Sequence, residues 1–347
     1  MVIASDWRKN RFLKDDYVRD IEGIIYLVLL NDHPPDSVVV APKYIPQQGG
    51  KWRESYSRIF GNYTSTDFHK AAKLEIFRKY EYYSESFSKK LLAIPHSCIA
   101  EHYIPENKLR ALASASQNDL SSLEKKATEL VNILSEIGIE QRAMGITGSI
   151  LYNLHMPFSN LSIIFYGLKA AKTYFSKIEE LIADYTTLSF KSQTLNLNGK
   201  SIALGSRVRT FLWMRGVSTA IHMNEFPDFQ FRYGSEFIQN LGNCEITAKI
   251  FKVESGFIRK LYTIQPVEII TWPNNKMEPA KSIQLRIFSG RSKDIIFKEG
   301  ELIKASGFLQ KVDNTYEKGS LGSLRLSIGL EENPGFACPF SLIQETL

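Results

Sequence analysis

A chain of 347 residues, 44% hydrophobic and 23% charged, is long enough for two or three domains and apolar enough to bury a core in each. Its net charge of +6 is spread evenly, with 17 basic against 15 acidic residues over 1–119, 11 against 9 over 120–230 and 15 against 13 over 231–347, which excludes a basic tail or a charge block. No apolar run reaches the 18 or more residues of a membrane-spanning helix, so no membrane partner is expected.

In chain order, the first expected element is a strand over Gly23–Leu30, followed by the turn cluster Asn31-Asp32-His33-Pro34-Pro35-Asp36 and a second strand over Ser37–Ala41, a hairpin-like unit. Residues 66–91 read as irregular helix carrying Tyr80, Tyr82 and Tyr83, more in keeping with packing than with base stacking. The polar run Ser114–Asn118 marks a domain boundary. Leu120, Leu123, Ala127, Leu130, Val131, Leu134 and Ile137 then recur at helical spacing, predicting a helix over Asp119–Ile137 capped by Asn118 or Asp119 and ended at Gly138.

A compact α/β pattern follows: a strand at Ala143–Thr147, a helical turn from Gly148-Ser149 to Leu154, a buried strand at Leu161–Tyr166, an amphipathic helix at Lys169–Tyr185 and further β structure over 207–223. Gly199-Lys200-Ser201 lacks the upstream glycine of a phosphate loop and reads as a turn between strands. From residue 231 the period falls to two, as in Ile246/Ala248/Ile250, Ile283/Leu285/Ile287 and Leu324/Leu326/Ile328, with glycines between the runs, predicting a small β-barrel or sandwich. The fold class is therefore α+β. Its expected parts are an N-terminal α/β region over 1–118, a mixed sheet with helices over 119–230 and a β-rich, OB-like domain over 231–347.

The segment Gly145-Ile146-Thr147-Gly148-Ser149, separated by ten residues from Asn160-Leu161-Ser162, resembles the signature of polymerase-beta-type nucleotidyltransferases. The likeness extends over roughly residues 20–312 to a group of archaeal nucleotidyltransferase-domain proteins, through His33-Pro34-Pro35-Asp36, Gly50-Lys51-Trp52, Ile94-Pro95, Ile104-Pro105 and Tyr233-Gly234. In that family a strand ends in Gly-Ser, which approaches a triphosphate, and the next strand opens with Asp-x-Asp, whose two carboxylates share one face and hold two magnesium ions. The resemblance thus gives Gly148 and Ser149 a nucleotide-binding role. It places the metal positions on Asn160 and Ser162, an amide and a hydroxyl that cannot replace two anions toward magnesium.

The expectation is a catalytically inactive protein of nucleotidyltransferase fold, needing no cofactor (magnesium only if activity survives), that binds nucleotide or nucleic acid. One alternative is an active enzyme drawing on Glu225 or Asp228; another is a scaffold for a protein partner. Arg259, Lys260, Tyr262, Arg286, Arg291 and Lys293 set aromatic and basic groups side by side in the β-rich tail, a composition suited to single-stranded nucleic acid.

The six histidines form no HxxxH or HExxH pair, Ser149 has no GxSxG context, and Cys98, Cys244 and Cys338 form no CxxC. Neither metal-cluster nor hydrolase chemistry is expected, and the cysteine usage fits a reducing cytoplasm. The residues before Asp20 hold no apolar signal core, so export is not expected.

Overall fold

The computed structural model describes residues 11–60, 65–197, 199–225, 233–256, 258, 260–273, 279–288, 291–314, 323–329 and 335–344. The protein is mixed α+β, mostly sheet with few helices, and none of its described helices is long and apolar enough to cross a membrane. The chain divides into two compact units that interleave in sequence. The first draws on Met1–Gly61, Leu92–Lys191 and Arg209–Arg232, the second on Asn62–Leu91, Ser192–Val208 and Tyr233–Leu347. The boundary expected at 118 falls inside the first unit, and the region expected as 119–230 lends residues 192–208 to the second.

Two sheets make the first unit. In one, the antiparallel strands Ile25–Val28 and Ser37–Gly50 are the expected hairpin, but the second strand runs 14 residues instead of five. Its inner half is apolar and buried against Leu92–Pro95, while its outer half continues as an exposed arm paired with Glu54–Arg58. Tyr17–Asp20 extends the sheet and pairs with Ile99–Tyr103.

The other sheet runs Leu188–Phe190, Phe211–Met214, Val217–Asn224, Leu161–Tyr166, Met144–Ile146. Leu161–Tyr166 is antiparallel to Met144–Ile146 and parallel to Val217–Asn224. A parallel neighbour needs a crossover, and the helix Leu168–Asp184 begins it, burying Ala170, Tyr174, Ile178 and Leu181. The helix expected at Asp119–Ile137 spans Ser122–Glu136. Its cap is Ser121, neither Asn118 nor Asp119: the Ser121 hydroxyl accepts from the Glu124 N–H and the Glu124 carboxylate accepts from the Ser121 N–H, a capping box. Gly138 leaves the helix at φ +95°.

In the second unit, residues 66–91 are less helical than expected. A helix at Ser65–Ala72 gives way to a 3₁₀ turn at Glu75–Tyr80 and strands at Glu81–Ser84 and Lys89–Pro95, the last crossing into the first unit. Tyr80 is buried and Tyr83 exposed. Strands Thr194–Leu197 and Lys200–Ala203 flank the Gly199 turn, φ +79°.

The β-rich tail forms one six-stranded sheet. Its 20-residue strand Glu236–Ser255 pairs with both Leu261–Thr271 and Leu302–Asn314, which curls the sheet round on itself. Ile283–Ile287 lies parallel to Ser323–Ile328, and Phe336–Pro339 adds to the edge. Ile246, Ala248, Ile250, Ile283, Leu285, Ile287, Leu326 and Ile328 all point into its core, as their period-two spacing requires, whereas Leu324 is only half-buried.

Candidate functional site

The Met144–Ile146 strand ends at Thr147, whose N–H still donates to the Ser162 carbonyl across the ladder. The chain then turns at Gly148, φ +69°, a conformation that L side chains adopt only at a cost. A Cβ there would lie 3.3 Å from the Ser162 hydroxyl oxygen, so the turn packs directly on the second of the two residues at which the resemblance expects a metal ligand. Ser149 is buried in a 3₁₀ turn of three residues, Gly148–Ile150, shorter than the helical segment expected through Leu154. Asn160 precedes Ser162 by one side-chain alternation and is exposed.

Register decides what shares the face of Ser162. Side chains opposite each other on neighbouring strands lie on the same face, so Ser162, Ile164 and Tyr166 stand with Ala220, His222 and Asn224. Alanine is therefore the residue beside Ser162, and the expected third acid is not on this stretch of strand. Glu225 lies beyond Asn224, which pairs with Tyr166, so along the strand it is more than about 13 Å from the Ser162 level. Asp228 lies outside the described residues.

The carboxylate that does reach this face comes from the N-terminal segment. Asp15 sits at φ +70°, its carbonyl accepting from the Thr147 hydroxyl at 2.8 Å and its carboxylate 3.7 Å from His222 Nδ1. Its neighbours are tied down as well. The Lys14 N–H donates to Asn31, Asn31 to Asn224, and Asn224 to the Lys14 carbonyl, while Asp16 accepts from the Leu13 N–H and faces His102 Nε2 at 2.8 Å. Leu13 packs on Ile164 and Tyr166. Nothing in the local sequence around Asp15 marks it, because its place depends on partners 13 to more than 200 residues away.

Two magnesium ions do not fit this arrangement. Among the described residues, an amide, a hydroxyl, an alanine and a histidine stand with a single nearby carboxylate, and no group of three or more His, Cys, Asp or Glu side chains gathers to hold a metal. The charge at the site is instead partly cationic. Lys43 is part-buried, hydrogen-bonded to the Tyr17 hydroxyl, and lowered to about 7, first by burial and then by the Arg58 guanidinium, with Asp15 pulling the other way. Tyr17 and Tyr44 pack on Tyr152 in the turn that follows Ser149.

Beyond Lys43 the Ser37–Gly50/Glu54–Arg58 arm carries an alternating cation–aromatic series. Arg58 lies over the rings of Trp52 (5.1 Å) and Tyr44 (5.6 Å), and Lys51 over those of Phe158 (4.8 Å) and Trp52 (5.8 Å). The arm turns through Arg53 and Glu54 at φ +52° and +56°. A hairpin turn with both central residues left-handed favours Asn-Gly, and each L residue there costs about 1–2 kcal/mol. Gly50 is obligatory, since a Cβ would meet the Tyr56 carbonyl oxygen at 2.3 Å.

Next to the tip, His155 is buried. Its Nε2 is 2.9 Å from the Ser121 hydroxyl, and its Nδ1 has no hydrogen-bond partner among the described residues. Burial lowers its pKa, Glu124 opposes that shift, and Arg53 and Lys108 reinforce it. Burial works against ionised Glu124 too, but hydrogen bonds from Lys108 and Ser121 outweigh it and hold the carboxyl below its usual range.

Of the tail residues expected to bind nucleic acid, Tyr262 and Lys260 are not exposed. Tyr262 is fully buried, its hydroxyl donating to the Gly256 carbonyl, and Lys260 is buried at φ +52°. Arg286 is half-buried over Phe288 and 3.8 Å from Glu236. Arg259 lies outside the described residues; Arg291 and Lys293 sit in the 3₁₀ turn Arg291–Asp294. The alternation that buries Ile264 also buries Tyr262, two residues before it, which the spacing of aromatic and basic residues alone did not reveal.

No family model matches the chain. An uncharacterized protein of Methanocaldococcus jannaschii is 23% identical over 337 residues, spanning 87% of this chain and 97% of that protein. The similarity runs through nearly the whole of both sequences and brings no activity with it.

Proposed function

We propose that the chain is a non-catalytic protein of nucleotidyltransferase type, which keeps a nucleotide-binding turn at Gly148-Ser149 and binds nucleotide or nucleic acid without turnover. The observation that carries this reading is the seat of Gly148 at φ +69° against Ser162, which joins the two halves of the motif in space while leaving its metal positions neutral. The order of strands supports it: antiparallel from the Gly-Ser strand to the Ser162 strand, then parallel to a later one after a helical crossover. The curled tail supports an OB-like reading, since its pairings link Glu236–Ser255, Leu261–Thr271, Ile283–Ile287, Ser323–Ile328 and Leu302–Asn314 in a ring, an arrangement suited to a five-stranded Greek-key barrel.

The test is binding of a fluorescent nucleoside triphosphate with and without magnesium. The wild type binds in either condition, and the double variant Asn160→Asp/Ser162→Asp becomes magnesium-dependent. Absence of nucleotide binding in the wild type removes the reading. An active enzyme is the second reading, favoured by Asp15 facing His222 beside Thr147. It requires transfer of label from a nucleoside triphosphate that Asp15→Asn abolishes. A protein-binding scaffold is favoured by Val267, Ile269 and Ile270, exposed together at the end of one strand. It requires a nuclease-resistant complex lost on Val267→Lys.

A further inference from the structure

The 41–58 stretch that builds the arm holds four cations, Lys43, Lys51, Arg53 and Arg58, against the single anion Glu54, although the chain as a whole is nearly balanced. Lys51, Arg53 and Arg58 are exposed. Phe158, 55% exposed, meets Trp52 edge-to-face at 6.4 Å, and Trp52 meets Tyr44 in the same way at 5.4 Å. Phe158, Lys51, Trp52, Arg58 and Tyr44 therefore alternate ring and charge from solvent toward the core. Isolated surface lysines do not build such a series: each of these two cations touches two rings.

We infer that this arm is a platform for single-stranded nucleic acid, with unpaired bases stacking on Phe158 and Trp52 and the phosphates following Lys51, Arg53 and Arg58. The chemistry selects this ligand over a duplex. Rings projecting from a β-arm reach only bases that are unstacked, and each base offers a π-face whatever its identity. The turn geometry adds to the case, since Arg53 is held at the apex in a backbone conformation that Asn or Gly would adopt more readily. His155 closes the same end of the surface, three residues before Phe158, with its buried Nδ1 lacking a partner among the described residues.

The inference rests on the reading of the chain as a binding protein but not on a nucleotide at Gly148-Ser149, so the two are measured separately. Full-length protein is titrated into fluorescein-labelled 12-nucleotide single strands of RNA and DNA and into a duplex of the same sequence, from about 50 to 200 mM salt. The wild type binds single strands at least about tenfold more tightly than duplex. Lys51→Ala/Arg53→Ala, both on exposed side chains, weakens binding about tenfold or more and lowers the salt slope by about 1.4, two phosphates at about 0.7 each. Trp52→Ala also weakens binding about tenfold, and Trp52→Phe restores it to within about threefold because the ring remains.

A preference for RNA over DNA, or none, supports the platform equally. Equal affinity for duplex, an unchanged slope in Lys51→Ala/Arg53→Ala, or no binding at 50 mM salt overturns it. A fluorescent nucleoside triphosphate, titrated in parallel, tells the two failures apart. Loss of nucleotide binding with the platform intact removes only the Gly148-Ser149 reading, and the converse removes only the platform.

Discussion

The ring of His33 is fixed in its neutral form by two contacts with opposite demands. Its Nδ1 accepts from the Val39 N–H, so the proton resides on Nε2, which donates to the Phe12 carbonyl. Protonation would set one N–H against another, and burial, then the charges of His96 and His102, lower the group to about 4 despite the help of Phe12. A base whose folded pKa lies below its unfolded value of about 6.5 is protonated first in the unfolded chain. Its contribution is therefore complete above pH 6.5 and is lost as pH falls from 6.5 toward 4. We expect stability to drop by up to about 3 kcal/mol across that window. Chemical denaturation at pH 7 and at pH 4.5 checks this, with the difference smaller in His33→Gln. At the same scale, Gly148→Ala combines positive φ with a 3.3 Å contact to Ser162, and should cost about 1–2 kcal/mol in a urea melt and abolish nucleotide binding. Gly148, Ser149 and Ser162 were legible from the sequence, because a Gly-Ser turn and a following strand are local patterns. Asp15, Lys43 and His222 were not, since what places them is hydrogen bonding and sheet register across the unit.

Among the elements, the Ser122–Glu136 helix shows how close a periodicity reading comes. The apolar stripe located its body, but a cap is chosen by whichever side chain closes the box, and Ser121 reaches the Glu124 N–H where Asn118 does not. Ser121→Ala should therefore cost about 1 kcal/mol, whereas Asn118→Ala should be nearly silent, as measured by thermal melts of the two variants. The long Ser37–Gly50 strand carries the opposite lesson. Its inner half is apolar and predictable, whereas Pro46-Gln47-Gln48-Gly49 carries little strand signal: Pro46 pairs with Tyr56, the register then shifts before Gly50, and Gly49 turns at φ +70°, so the outer half is set by the fold-back of Glu54–Arg58 and not by local propensity. The cation–aromatic series is not written in any local stretch for the same reason: its rings come from the arm and from Phe158, about a hundred residues apart.

Across the whole molecule, the chain passes repeatedly between two units. In the second, the Ile296 N–H donates to the Arg207 carbonyl, Arg207 pairs with Glu301, and Thr194–Leu197 and Lys200–Ala203 lie outside the β-rich tail in sequence. An excised fragment 233–347 lacks these partners. It should show no cooperative melt in circular dichroism, and a cooperative melt of that fragment alone would refute the dependence. Within the same unit, Arg325 is buried and clamps Glu236 with two hydrogen bonds of 2.8 and 2.9 Å. Removing one partner leaves the other charge buried, so Glu236→Gln should cost about 3–5 kcal/mol in a urea melt. The sequence by itself determined the α+β class, the change from helical to alternating spacing near residue 231, the strand Leu161–Tyr166 and the neutral Asn160 and Ser162 that follow the Gly148-Ser149 turn, because each is set by side-chain chemistry at short separation. Only the tertiary structure decided the interleaved units, the burial of Tyr262 and Lys260, the arrival of Asp15 opposite His222 and the cation–aromatic arm, because each depends on which distant segments pair and in which register.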